Sequence, residues 1–249
     1  MMIDIVTLAP EMWQSLDHGV VGRAKNAEIW QQKLWHLRDF STRKDRRVDD
    51  KSYGGGPGMV LGPEALHACI QHIDQVREKK PFVIELDPSG TTLNAELCQT
   101  LAQKSNLLLL CGRYEGIDAR IKDKHVDLSI STGPYVLSGG DLAGMCLVDA
   151  VCRFLPGTLG NDISLMEDSY AHGLLDHPHY TRPQMHATGV VPEALLSGDP
   201  KKIDNWRRMM ALGRTWQYQP DCLINTPLSD ADIVLLQTYI KDHFNRSDR

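Results

Sequence analysis

In Leu107-Leu-Leu-Leu-Cys111 and the Gly112-Arg-Tyr-Glu-Gly116 that follows, an apolar run leads directly into a loop with glycine at both ends. A short run that is apolar throughout predicts a strand buried on both faces, as in the middle of a parallel sheet. The glycines indicate a loop in which the backbone approaches a ligand or another loop closely. Together they favour an α/β fold.

Strand and helix patterns alternate on both sides of this stretch. The predicted strands are Ile3–Leu8, Ile29–Leu37, Phe82–Leu86, Leu107–Cys111 and Val126–Ser131, and the predicted helices are Pro63–Val76, Thr92–Gln103 and Asp141–Phe154. Asp141 is expected at the N-cap or in the first turn of its helix. Strands separated by helices pair in parallel through crossovers, so we expect a parallel α/β sheet.

The loops that follow three of these strands predict the binding site, because ligands of open α/β sheets bind beyond the carboxyl ends of the strands. Each loop carries glycine: Gly90 in the first, Gly112 and Gly116 in the second, and Gly133, Gly139 and Gly140 in the third. We expect a cofactor pocket formed mainly by the segments 112–116 and 132–140.

The pattern changes after Pro156. Residues 156–167 combine Gly, Asn, Asp and Ser with weak periodicity, which indicates a linker or a mobile segment. Helical patterns at Pro192–Leu196, Ile203–Leu212 and Asp230–Phe244, without a convincing strand between them, predict a small all-α domain. The expected division is an α/β domain at 1–160, a flexible linker at 161–172 and a helical domain at 173–249.

Composition excludes several classes of protein. The 249 residues are 42% hydrophobic and 24% charged, as in globular proteins, and no apolar run approaches the roughly 18 residues of a membrane span. The six cysteines form no Cys-x-x-Cys pair, so we expect a reducing, cytoplasmic setting and no membrane partner. A net charge of −5 argues against indiscriminate nucleic-acid binding but permits a local basic patch.

Two further clusters have alternative interpretations. The loop Gly54-Gly-Gly-Pro-Gly58 lacks the Gly-Lys-Ser/Thr ending of a P-loop. With Arg43, Lys44, Arg46 and Arg47 upstream it either meets a polyanion or belongs to a solvated charge run that Asp45, Asp49 and Asp50 partly cancel. The histidines His172, His177, His179 and His186 match no common zinc spacing, so we expect no metal ligands there.

Several segments, taken in order, closely resemble the bacterial tRNA (guanine-N1)-methyltransferase family, TrmD. They are Val48-Asp-Asp-Lys-Ser-Tyr-Gly-Gly-Gly-Pro-Gly-Met59, Cys111-Gly-Arg-Tyr-Glu-Gly-Ile-Asp118, Tyr135-Val-Leu-Ser-Gly-Gly-Asp141, Glu167-Asp-Ser169, Gly173-Leu-Leu-Asp-His-Pro-His-Tyr-Thr-Arg-Pro183, Leu195-Leu-Ser-Gly198 and Leu212-Gly-Arg-Thr-Trp216. The resemblance implies a SPOUT-type sheet with a C-terminal trefoil knot, and a homodimer with its active site at the subunit interface. It also implies methyl transfer from S-adenosylmethionine to N1 of the guanosine immediately 3′ of the anticodon, with the anticodon stem-loop of tRNA as partner.

The resemblance also assigns site residues. Cofactor binding is expected at Leu86, Pro88, Gly90, Gly112, Tyr114, Gly116, Thr132, Gly133, Pro134, Tyr135, Val136, Leu137, Gly139 and Gly140. Asp168 corresponds to the catalytic base, and Arg153 and Glu115 to its supporting groups. The chain departs from the family pattern at Ala9, Asp87, Ser89, Thr132, Pro134 and Ala143, and we expect the changes within the cofactor loops to adjust affinity rather than abolish it.

The implied chemistry is coherent. Asp168 would remove the N1 proton while Arg153 stabilises the charge that develops on O6, and Glu115 would orient the base or Arg153. RNA contacts are expected from Lys201, Lys202, Arg207, Arg208 and Arg214 and from the Arg43–Arg47 stretch. If the linker becomes ordered only when tRNA binds, Asp168 would reach its catalytic position only after the tRNA is bound. A related SPOUT enzyme with another RNA target and a non-catalytic RNA-binding factor remain alternatives, and a requirement for Mg²⁺ is left open.

Overall fold

The computed structural model describes residues 1–160 and 168–247. The chain divides into two compact units, Met1–Asp162 and Ile163–Arg249, and each is described by itself. The predicted linker at 161–172 falls largely on 161–167, which lie outside the described residues.

A five-stranded parallel sheet organises the first unit. Its strands are β1 (Met2–Thr7), β2 (Gln31–His36), β5 (Phe82–Thr92), β6 (Asn106–Leu110) and β7 (Leu128–Ser131), in the order β2-β1-β6-β5-β7. Each neighbouring pair runs parallel, which confirms the predicted α/β sheet. A two-stranded antiparallel ladder, β3 (Asp49–Asp50) with β4 (Val60–Leu61), carries the Gly54–Gly58 loop between its strands.

Helices cover both faces of this sheet. They are α1 (Gly19–Asn26), α2 (Pro63–Val76), α3 (Ala95–Ala102), α4 (Ala119–His125) and α5 (Gly140–Cys152), and 3-10 helices occupy Pro10–Asp17 and Leu37–Phe40. Leu107 and Leu109 pack into the core on the α5 face, and Leu108 and Leu110 pack into the core on the α2 face. Strand β6 is therefore buried on both faces, as its apolar run predicts.

Strand β5 is longer than the predicted Phe82–Leu86, because the chain returns to the sheet after a loop. Both Leu86 and Thr91 are opposite Ile130 of β7, so residues 87–90 are displaced from the ladder. A Cβ at Gly90 would lie 2.4 Å from the carbonyl carbon of Ser129, closer than real Cβ contacts come. Glycine at this position allows the main chain of the displaced loop to lie directly against the main chain of β7.

The second unit contains α6 (Glu193–Leu196), α7 (Pro200–Tyr218), α8 (Pro220–Ile224) and α9 (Asp230–Ser247). A short antiparallel ladder of β8 (Met185–His186) and β9 (Gly189–Val190) precedes them, so the unit is mainly rather than wholly helical. Helices α7 and α9 approach closely at Gly213, where a Cβ would fall 2.2 Å from the Tyr239 ring. No helix within residues 1–160 and 168–247 is both long and apolar enough to cross a membrane.

Candidate active site

A cavity opens at the carboxyl ends of β6 and β7, beside the displaced loop of β5 that begins at Asp87. Its lining consists of Leu86, Asp87, Pro88, Gly112, Arg113, Tyr114, Glu115, Gly116, Ile130, Ser131, Thr132, Tyr135, Val136, Leu137, Gly139, Gly140 and Ala143. The lining combines an apolar floor with main chain from the loops, and Tyr114 and Tyr135 are about half exposed beside it. Such mixed, concave sites are typical of small-molecule binding.

The loops after β6 and β7 are held together by main-chain contacts. The amide of Gly140 donates to the carbonyl oxygen of Gly112 at 2.7 Å, and an antiparallel bridge joins Arg113 to Gly139. A Cβ at Gly140 would lie 2.9 Å from the Cα of Cys111. Glycine is therefore required at the start of α5 by close backbone approach rather than by flexibility.

A buried ion pair stabilises the same junction. Asp141, 1% exposed in the first turn of α5, accepts from Arg113 Nε at 3.1 Å and Arg113 Nη2 at 2.8 Å. The Thr7 hydroxyl and the Trp13 indole N–H, the latter at 3.0 Å, also donate to this carboxylate. Because these donors compensate the buried charge, Asp141 fixes the positions of both loops relative to β1.

Glu115 lies where the Gly54–Gly58 loop reaches the cavity. Its amide donates to the Met59 carbonyl at 3.0 Å, and a Cβ at Gly58 would lie 2.5 Å from Glu115 Oε1. Gly54, Gly55, Gly56 and Gly58 all adopt positive φ, which explains why this loop needs glycine.

The basic residues upstream of that loop are partly compensated. Arg43 lies 3.5 Å from Asp50, Arg46 pairs with Asp39, and Arg47 lies 3.7 Å from Asp49. The interpretation as a solvated charge run therefore has support at these three positions, while Lys44 adds a further exposed cation.

Most of the residues assigned to cofactor binding border this cavity, and three lie outside its lining: Gly90, Gly133 and Pro134. Gly90 instead allows the close approach of its loop to the main chain of β7. Gly133, at a φ of 154°, leaves room for the Tyr135 ring. The residues that sequence reasoning did not assign to the cavity are Asp87, Arg113, Ile130, Ser131 and Ala143. Asp87, Arg113 and Ser131 directly adjoin assigned positions in sequence, which is the signal that identifies them, whereas Ile130 and Ala143 do not.

Asp87, a departure from the family pattern, is a charged member of the lining. Burial raises its pKa, but hydrogen bonds from the Ser89 hydroxyl and amide, together with nearby Lys122, outweigh burial and lower the pKa of this carboxyl. Lys122 Nζ lies 3.1 Å from Glu85 and 3.8 Å from Asp87. The negative charge that Asp87 adds is thus partly balanced by Lys122 of α4.

The three residues assigned to catalysis are divided between the units. Glu115 and Arg153, the latter at the C-cap of α5, belong to the first unit. Asp168 belongs to the second, where it lines a different cavity with His172, Leu174, Leu175, Asp176, His177, Asp204, Arg207, Arg208 and Ala211. Within that unit Asp168 also accepts at its carbonyl oxygen from the Ala171 amide at 3.1 Å.

The second cavity is bordered by two ion pairs. Arg208 donates to Asp232 from Nε at 2.7 Å and from Nη2 at 3.1 Å. These hydrogen bonds are the largest influence on the Asp232 carboxyl, and they lower its pKa to about 2. Arg207 lies 4.0 Å from Asp204 on the exposed side of α7.

A parallel sheet whose glycine loops border a mixed cavity is an architecture typical of α/β proteins that bind a small molecule. The chain also matches the family model described as tRNA (Guanine-1)-methyltransferase TrmD over residues 1–225. The chain belongs to this family. The predicted resemblance is thereby confirmed, as is the prediction of an enzyme that transfers methyl groups to guanine N1 in tRNA.

Individual relatives agree with the family assignment. The chain is 45% identical over 242 residues to the tRNA (guanine-N(1)-)-methyltransferase of Halorhodospira halophila, covering 97% of this chain and 92% of the relative. It is 46% identical to the proteins of that name from Vibrio cholerae and Legionella pneumophila strain Lens, again over 97% of this chain and 98% and 97% of theirs.

Proposed function

We propose that the cavity of the first unit binds S-adenosylmethionine and that the guanosine immediately 3′ of the tRNA anticodon is the acceptor. Family membership together with a glycine-loop cavity at the carboxyl ends of β6 and β7 carries this proposal. When bound, S-adenosylmethionine supplies an electrophilic methyl group on a sulfonium. The reaction class follows from the family, and the donor and the nucleotide position follow from the resemblance.

The residues of the cavity suit an adenosyl group. Leu86, Ile130 and Ala143 supply apolar surface for a flat base, and the loops supply amide and carbonyl groups for its polar edge. At Gly116, φ is 111° and an added Cβ would meet no atom of residues 1–160 and 168–247 within 4 Å, so the main chain there is accessible to a ligand. The sequence departures Asp87, Thr132 and Ala143 also border this cavity, and such changes adjust affinity where recognition is mainly by backbone groups.

We propose that Asp168 takes the N1 proton, that Arg153 faces O6 of the guanine and that Glu115 orients one of these partners. An ordinary aspartate, with a pKa near ~3.9, is a weak base for a guanine N–H, so the reaction needs help with the charge that develops on O6. A guanidinium at O6 stabilises that charge and makes the proton easier to remove. The account therefore requires Asp168 and Arg153 to act on the same guanine.

We propose that the second unit contributes RNA contacts through α7. Lys201 and Lys202 are exposed in its first turn, where the helix dipole already favours a phosphate. The guanidinium of Arg214 lies 5.9 Å from the centre of the Tyr218 ring. Arg207 and Arg208 belong to the same basic set, although Arg208 also has a structural role in its bond to Asp232.

The wider arrangement is also proposed from the resemblance. It comprises a C-terminal trefoil knot in the SPOUT sheet, a homodimer with the active site at the subunit interface, and domains at 1–160 and 173–249 joined by the 161–172 linker. Contact of the β7 loop with the β6 loop through Gly112 and Gly140 is compatible with a knotted crossing. We propose the cytoplasm as the place of action because none of the six cysteines is paired in a disulfide.

The proposed acceptor is tested by methylating two tRNA transcripts that differ only in having guanosine or adenosine immediately 3′ of the anticodon. We expect label from S-adenosylmethionine in the guanosine transcript alone, and mass spectrometry of the nucleosides should find the methyl group on N1. Equal labelling of both transcripts, or a methyl group on another atom, would support the alternative of a related enzyme with another target. Cofactor binding without labelling of either would support the RNA-binding factor.

The proposed pair is tested by a double-variant cycle. Asp168→Asn and Arg153→Ala should each lower the single-turnover rate, and the double variant should be little worse than either because the two groups act as a unit. Effects that multiply would show that the residues act independently.

A further inference from the structure

We propose that Asp176, His177 and His179 form a binding site for a divalent transition-metal ion, with Zn²⁺ as the best-fitting candidate. The linear spacing of these residues matches no common zinc pattern, but the fold brings together one ligand atom from each within 4.8 Å of the others. Two imidazole nitrogens and a carboxylate oxygen are a ligand set that Zn²⁺ binds, with a fourth position left for an exogenous oxygen or nitrogen.

His177 has its ring orientation and its tautomer set by the main chain. Its Nδ1 lies 3.1 Å from the carbonyl oxygen of Pro178. A carbonyl oxygen only accepts, so this contact favours the neutral tautomer that carries the proton on Nδ1 and a lone pair on Nε2. Metal-binding histidines commonly donate the other ring N–H to a carbonyl or carboxylate in this way.

The free Nε2 of His177 faces Asp176. The distance from His177 Nε2 to Asp176 Oδ1 is 3.8 Å, which is too long for a hydrogen bond. Two ligand atoms on a tetrahedral Zn²⁺ with bonds of about 2.0–2.2 Å stand about 3.2–3.6 Å apart. A small movement of either side chain therefore produces the spacing that a shared ion requires.

His179 completes the set. Its Nε2 lies 2.7 Å from Asp176 Oδ2, and its ring centre is 4.5 Å from that of His177. In the neutral ring the proton can move from Nε2 to Nδ1, which leaves Nε2 with a lone pair for the ion. The ring of Trp206, on α7, lies edge-on to the ring of His177 with 6.1 Å between the ring centres.

Charges around the cluster do not oppose a cation. The two arginines that line the same cavity, Arg207 and Arg208, are paired with the carboxylates Asp204 and Asp232. Asp176 and His177 line this cavity together with Asp168. An ion held there would fix the segment 176–179 next to the residue proposed as base, independently of the identity of the methyl acceptor.

The test titrates ZnCl₂ into untagged, chelator-treated protein by isothermal calorimetry. We expect one ion per chain for the wild-type protein, and at least tenfold weaker binding for His177→Ala, His179→Ala and Asp176→Asn. His186→Ala is the matched control, because His186 is an exposed histidine that contacts Thr188 and stands outside the cluster. Binding by this control should change by less than about twofold.

A second readout guards against variants that misfold. Asp176→Asn keeps the size of the side chain, and circular dichroism melting verifies its fold before titration. Co²⁺ in the wild-type protein should give the visible absorption of a tetrahedral site, and that signal should be lost in Asp176→Asn. Absence of stoichiometric Zn²⁺ binding in the wild-type protein, or equal affinity in the folded cluster variants and His186→Ala, overturns the proposal.

Discussion

The cavity of the first unit is bordered by glycine loops and apolar side chains, whereas the cavity of the second unit is lined mainly by charged and titratable side chains. Glycine loops surround the first, and Gly112 and Gly140 are in direct backbone contact. Carboxylates, arginines and histidines surround the second. Backbone-built sites tolerate side-chain changes that preserve the loop path, while side-chain sites lose their chemistry when one functional group changes.

This difference predicts that side-chain changes are better tolerated in the loops of the first cavity than in the second cavity. The departures that the resemblance implies, Asp87, Ser89, Thr132, Pro134 and Ala143, all lie in or beside the loops of the first cavity, where we propose that the cofactor meets mainly the backbone. The positions that must not change there are those that set the loop path, namely the close-packed glycines and the ion pair of Arg113 with Asp141.

Removing that ion pair should break the first cavity most severely. Arg113→Ala leaves the Asp141 carboxylate buried without its charge partner, so we expect unfolding free energy to fall by about 3–5 kcal/mol. Urea titration measures this loss. Arg120→Ala is the matched control, since its pair with Asp118 is exposed on the arginine side and should contribute less than about 1 kcal/mol. Similar losses of unfolding free energy for both variants would show that the buried pair stabilises the fold no more than the exposed pair does.

Gly140→Ala tests the close approach itself. The added Cβ meets backbone atoms of Cys111 and Gly112 at 2.9 and 3.0 Å, so we expect a loss of about 3 kcal/mol in stability, at the upper end for overpacking. Cofactor affinity should fall with it. Gly160→Ala, where a Cβ meets no atom of the described residues within 4 Å, should be nearly neutral. A well-folded Gly140→Ala with unchanged cofactor affinity would contradict the backbone account.

The second cavity should instead be sensitive to acid. The Asp232 pKa of about 2 lies below its ordinary value of 3.8, so its contribution is present above pH 3.8 and is lost as pH falls through about 2. The shift corresponds to roughly 2 kcal/mol. Urea titrations of wild-type protein and Asp232→Asn between pH 5 and pH 2 measure it, and the stability difference between them should shrink as pH falls. If the stability difference between wild type and Asp232→Asn stayed constant over this pH range, titration of the Asp232 carboxyl would not be its cause.

The smallest effect is expected for the exposed loop position Pro134. Pro134→Asp restores the residue usual in the family, and because Pro134 is exposed and outside the lining, we expect the cofactor dissociation constant to change by less than about threefold. Calorimetry with S-adenosylmethionine measures it. A change of more than tenfold would mean that side chains in this loop recognise the cofactor directly.

Local patterns in the sequence predict most of the first unit. The helix Pro63–Val76 has the predicted bounds, because proline marks its start and apolar residues follow at helical spacing. Strand β6 is predicted from its apolar run, and the structure buries both faces of this strand as the run indicates. Helix Ala119–His125 is missed because Ile121 is its only buried side chain, which leaves no periodicity to detect.

Contacts between distant residues set the limit of such predictions. The Arg113–Asp141 pair joins residues 28 apart, and the return of β5 to the sheet at Thr91 depends on β7. The grouping of Asp176, His177 and His179 depends on a turn that the spacing does not specify. These features come from tertiary packing, which single-sequence periodicity does not encode.

The division of labour between the two cavities is tested most directly by measuring cofactor affinity and single-turnover rate on one variant, Asp168→Asn. The matched control is Asp204→Asn, which changes another carboxylate that lines the same cavity. The account predicts that Asp168→Asn binds S-adenosylmethionine within about threefold of wild type but methylates tRNA on the order of 10²–10⁴-fold more slowly, while Asp204→Asn keeps both properties. An unchanged rate in Asp168→Asn, or a loss of cofactor affinity that accounts for the slower rate, would contradict it.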